Sequence, residues 1–76
     1  MFLKRIEVVY KNSTLNFIIG SPMETITSDV KMKPDPDKIV KTVELTNDMI
    51  KIEYGNNEVT WLPINNVIEL HFKKES

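Results

Sequence analysis

The chain has 76 residues, ten basic and eleven acidic, for a formal net charge of −1, and it has no cysteine. A length of this order holds one domain, and the missing cysteines exclude a disulfide framework and any cysteine-based zinc site. The charges are balanced and interspersed, without the positive excess usual in a polyanion-binding domain.

Phe2 to Tyr10 reads as a first strand, with Ile6, Val8 and Tyr10 on one face. A two-residue turn at Asn12-Ser13 returns it as Thr14 to Ile19, pairing Tyr10 with Leu15, Val8 with Phe17 and Ile6 with Ile19, all on that face. The opposite face mixes Arg5, Glu7, Thr14 and Asn16 with Leu3, Val9 and Ile18, which is too apolar for a plain solvent face. Gly20-Ser21-Pro22 breaks the strand, and Glu24 to Met32 reads as a weak strand. Lys33-Pro34-Asp35-Pro36-Asp37 is a loop, because each proline pushes its predecessor out of the helical region. Lys38 to Leu45 reads as a strand rich in β-branched residues, with a short helix from Asp35-Pro36 to Val43 as the alternative. As a strand it makes a hairpin with Met49 to Tyr54 around Asn47-Asp48, pairing Leu45 with Ile50 and Val43 with Ile52.

The last third alternates most regularly. Ile50, Ile52 and Tyr54 share a face, Gly55-Asn56-Asn57 is turn chemistry, and Glu58 to Leu62 resumes the alternation. A two-residue loop at Gly55-Asn56 or at Asn56-Asn57 aims Val59 and Trp61 inward either way. The second is preferred because it avoids setting Glu53 against Glu58. Pro63-Ile64-Asn65-Asn66 forms a corner, and a final strand to Phe72 puts Ile68, Leu70 and Phe72 inward, with Lys73 to Ser76 as a polar tail. Ala, the best helix former, is absent, as is Gln, while Ile, Lys and Asn, with AT-rich codons, make up a third of the chain. The fold expected over residues 1–76 is therefore a single all-β domain. It is a small antiparallel five- to six-stranded barrel or bent meander, with one short helix or 3-10 turn at most. The general shape resembles SH3-like and Sm-like barrels, in which a short proline-containing turn often precedes the last strand. The resemblance covers architecture alone, and such folds host many functions.

Candidate chemistry is sparse. His71, the only histidine, shares a face with Glu69, but a lone imidazole without further ligands or a nucleophile reads as solvent-facing. Asp35 and Asp37, with Asp29 and Glu24 nearby, lack the ligand spacing and glycine of a calcium loop and read as solvated turn residues. Gly20 and Gly55 are the only glycines, so there is no phosphate-cradling loop. No catalytic residue, cofactor or metal is expected. Trp61 reads first as a core anchor and second as a contact residue, and Leu62 then points outward beside Pro63 and Ile64.

These features lead to a non-enzymatic protein-interaction module that binds a partner protein or self-assembles as a homo-oligomer. The candidate contacts are Leu3, Val9, Ile18, Met23, Trp61 and Leu62, and Phe2 to Tyr10 is the candidate edge for strand addition. The codon bias points to a low-GC bacterial or phage source, for instance an accessory inhibitor of a host enzyme. The alternatives are single-stranded nucleic-acid binding through aromatic side chains on a barrel face, and small-molecule binding under a lid formed by residues 21–37. No stretch approaches the roughly twenty apolar residues of a membrane helix. Met1-Phe2-Leu3-Lys4-Arg5 places its charges after two apolar residues, the reverse of a secretory signal. The expected location is cytoplasmic, with no membrane contact.

Overall fold

The computed structural model describes residues 1–27, 30 and 32–75. It is all-β: β1 (Phe2–Val9), β2 (Ser13–Ile18), β3 (Glu24–Thr27), β4 (Val40–Leu45), β5 (Met49–Tyr54), β6 (Val59–Pro63) and β7 (Glu69–Lys74). All pairings are antiparallel, in the order β3-β2-β1-β4-β5-β6, with β7 on β1. The sheet curls into a half-barrel, which agrees with the barrel-like architecture expected from the alternation. There is no helix among the described residues. Where the helix alternative began, the Asp35 side chain accepts the N–H of Asp37 (2.9 Å) and closes a turn. The β-branched run then enters β4, where ladder geometry suits its stiff side chains. The weak strand expected over residues 24–32 is regular only as far as Thr27; Ser28, Asp29 and Lys31 lie outside the described residues.

The core is one cluster of nine side chains from four strands: Leu3, Ile6 and Val8 of β1, Phe17 of β2, Val40 and Val43 of β4, and Ile50, Ile52 and Tyr54 of β5. Burying each such aliphatic or aromatic group contributes on the order of 1.5–3 kcal/mol. The β4–β5 register is the one the sequence predicts, Leu45 against Ile50 and Val43 against Ile52. The β1–β2 hairpin slips by two: Tyr10 donates to the Ser13 carbonyl (2.8 Å) around Lys11-Asn12, so Ile6 faces Phe17 and Val8 faces Leu15. An even slip leaves every side chain on its predicted face.

Two bulges break the period-two rule. The ladder of β1 shifts between Leu3 and Arg5, and that of β4 shifts between Val40 and Thr42. Each extra residue bends its strand and flips the face of what precedes it. Leu3 therefore joins Ile6 inside, and Val40 joins Val43. Uniform alternation puts Leu3 on an outer face, and the first bulge overturns that placement. One long edge of β1 serves two strands, β2 along Arg5–Val9 and β4 along Phe2–Leu3.

The final strand corrects a second expectation. Leu70 packs against the core, but Ile68, left in the corner before β7, is 61% exposed, and Phe72 is 41% exposed. Phe72 does lie opposite Ile6. It sits on a strand bound on one side only, where the inner face runs past the edge of the core.

Candidate functional site

The half-barrel leaves sheet edges to manage. β1, the expected edge, is central: β2 and β4 pair with one side and β7 with the other. The outer side of β3 is engaged by the chain that follows it, through Thr27 N–H to Val30 C=O (3.0 Å) and Met32 N–H to Thr25 C=O (2.9 Å). Among the described strands, β6 pairs only with β5 and β7 only with β1. β7, Glu69-Leu70-His71-Phe72-Lys73-Lys74, carries the charges that blunt an open edge. β6, Val59-Thr60-Trp61-Leu62-Pro63, carries none.

The turn before β6 decides which of its side chains meet water. Tyr54 donates to the Glu58 carbonyl (3.0 Å), and Asn57 donates to the Tyr54 carbonyl (3.1 Å). Asn57 has φ 71, the left-handed conformation that asparagine tolerates better than most residues. The Glu58 N–H is received by the Asn56 side chain (2.9 Å). The loop is thus Gly55-Asn56-Asn57, three residues closed by a left-handed one. It shifts the register by one from either two-residue reading: Ile50 faces Leu62, Lys51 faces Trp61, Ile52 faces Thr60 and Glu53 faces Val59. A one-residue shift moves the whole strand's side chains to the other face. Leu62 therefore packs against the core, and Thr60 donates to the Tyr54 hydroxyl (3.1 Å). Trp61 is 54% exposed and Val59 46% exposed, which corrects their expected core placement.

The backbone of β6 follows the same phase. The Tyr54–Glu58 bond and the Ile64 N–H to Asp48 C=O bond (3.1 Å) bracket the β5–β6 ladder. Because antiparallel pairs alternate, Thr60 and Leu62 direct N–H and C=O toward β5, and Val59, Trp61 and Pro63 direct theirs to the open side. Pro63 contributes no N–H there. The Lys51 ammonium lies 5.2 Å from the centre of the Trp61 ring and 3.6 Å from the Glu53 carboxylate. A row on the outer surface therefore runs Phe2, Glu44, Lys51, Trp61 across β1, β4, β5 and β6.

The sequence candidates scatter in this frame. Leu3 is wholly buried, and Met23 and Leu62 are half-buried against the core. Val9 is half-buried between Thr14 and Glu69. Ile18 is exposed, and with Lys4, Ile19 and Glu75 it lines an open depression at the far end of β2. Trp61 alone combines exposure with an open strand edge. Val59, its neighbour on that edge, escaped the sequence reading, and its signal was the Gly-Asn-Asn loop. His71 Nε2 lies 2.8 Å from the Glu69 carboxylate on the exposed outer face. Among the described residues no three His, Cys, Asp or Glu side chains group to hold a metal, and no helix is long and apolar enough to cross a membrane. No protein-family model, curated protein or solved structure matches this chain.

Proposed function

We propose that this chain is a non-enzymatic protein-interaction module that binds by strand addition along β6, with Trp61 and Val59 as its contact side chains. The observation that carries the reading is the edge itself: an uncharged strand with open backbone groups on one side and a half-exposed tryptophan beside them. Strand addition draws affinity from main-chain hydrogen bonds and specificity from alternate side chains, and tryptophan is the residue most often found to dominate an interface. The carboxylates of Glu44 and Glu53 flank Lys51 on the same face and disfavour a phosphate backbone there.

The test is retention of source-cell proteins on the immobilised chain. Wild type is expected to hold a partner at moderate salt that the Trp61→Ser variant loses, while a His71→Ala change on β7 leaves retention unchanged. Equal retention by wild type and Trp61→Ser refutes the reading. A steep loss of retention with salt, competed by oligonucleotide, assigns the face to nucleic acid instead.

A further inference from the structure

We propose that the partner on β6 is a second copy of this chain, joined antiparallel about a two-fold axis at Thr60, so that Val59 of each copy lies opposite Trp61 of the other. This rests on the interaction-module reading and names the occupant which that reading leaves open.

Hydrogen bonding selects the register. The groups turned to the open side are the N–H and C=O of Val59 and of Trp61, and the C=O of Pro63. With the axis at Thr60, Val59 exchanges both of its bonds with the second copy's Trp61, and Trp61 with the second copy's Val59. All the outward groups of these two residues are then satisfied, and Pro63 stands outside the ladder. Moving the axis to Trp61 sets Pro63 against the second copy's Val59, whose carbonyl then finds no N–H.

Side chains and charge select the same arrangement. On the outer surface it places a β-branched residue beside an aromatic one, a favourable cross-strand pair. Lys51 flanks Trp61 and Glu53 flanks Val59. Each row across the joint therefore runs Lys51, Trp61, then the second copy's Val59 and Glu53, with a cation at one end and a carboxylate at the other. β6 brings no charge of its own to the joint. A two-fold joint needs one patch complementary to itself, and it is the commonest form of soluble oligomer.

Because the chain has no cysteine, a Thr60→Cys variant carries a single thiol. On the axis, residue 60 faces its counterpart in the non-hydrogen-bonded position, with Cα atoms about 4.5 Å apart, within disulfide range. Sedimentation from micromolar to millimolar concentration is expected to carry the wild-type mass from 8.8 kDa toward twice that value. Emission from Trp61, the only tryptophan, should shift to the blue as the ring is covered. Mild oxidation should link Thr60→Cys far faster than a Lys73→Cys control on β7. Val59→Lys should weaken self-association roughly 30-fold, the scale of a hot-spot loss, with its thermal melt unchanged at the low concentration where wild type is monomeric.

A wild-type mass fixed at 8.8 kDa throughout overturns the proposal. So does equal cross-linking at positions 60 and 73, or a Val59→Lys variant that associates like wild type. If the dimer fails but a cell protein is still retained in a Trp61-dependent way, the two-fold joint falls and the interaction module stands. If both fail, both readings go.

Discussion

β6 and β7 each pair with one strand only, and they treat water in opposite ways. β7 spends most of its length on Glu69, His71, Lys73 and Lys74, and places Lys73 directly across from Arg5. Like charges set opposite one another in a sheet are destabilising, so this edge keeps its charge against its own stability. β6 carries no charge and exposes Val59 and Trp61 on its outer surface. Its one protective device is Pro63, which removes a single donor at the far end. The comparison separates a charged edge from an uncharged, apolar one.

The largest effect expected on that comparison tests which face of β6 is inside. Leu62→Ala should lower stability by roughly 2 kcal/mol, since it removes a half-buried side chain from the core wall. Trp61→Ala should change it by less than about 1 kcal/mol despite the greater loss of volume, because the ring is mostly in water. Urea unfolding followed by circular dichroism gives both values. The reverse order would place Trp61 inside and Leu62 outside, and the exposed edge would lose its anchor.

The sequence made the all-β architecture legible because β1, β2, β4 and β5 alternate strongly. For Leu45 against Ile50 and Val43 against Ile52 the turn length was legible too. What stayed hidden was anything that adds one residue. A period-two pattern reports faces only between breaks, so the bulge beyond Leu3 and the three-residue loop before β6 each inverted a reading. β6 was the worst case for a further reason. Val59 and Trp61 on one parity and Leu62 on the other are all apolar, so hydrophobicity could not choose between them. Uniform alternation consequently puts Leu3 on the surface and Trp61 in the core.

The turn itself can be tested next. Asn57 holds a left-handed φ of 71. Alanine at that position should destabilise by roughly 1 kcal/mol, because it keeps the Cβ that disfavours a left-handed backbone but loses the short polar side chain with which asparagine offsets that cost, whereas glycine, which has no Cβ, should match or slightly exceed wild type. If alanine is neutral, the loop can relax to a two-residue form and the phase of β6 is not fixed by this residue. Thermal melts of the two variants decide it, and amide exchange at Thr60 and Leu62 shows whether the β5–β6 ladder has moved.

The smallest expected change in stability separates the two edges most sharply. Lys73→Val on β7 should raise stability by a few tenths of a kcal/mol, because it relieves the opposition to Arg5. Val59→Lys on β6 should stay within about 0.5 kcal/mol of wild type, since the side chain it replaces already faces water. Association should move in the opposite sense in each case. A β7 edge stripped of a cation should begin to self-associate, as light scattering would detect, and a β6 edge given a cation should stop binding. A protein chosen only for the stability of its monomer would have valine at 73, and nothing in the fold prevents lysine at 59. The present arrangement sets a cation opposite Arg5 on β7, and leaves apolar surface in water along β6. If Lys73→Val neither gains stability nor associates, the charges of β7 are incidental, and the bare edge of β6 loses the contrast that makes it informative.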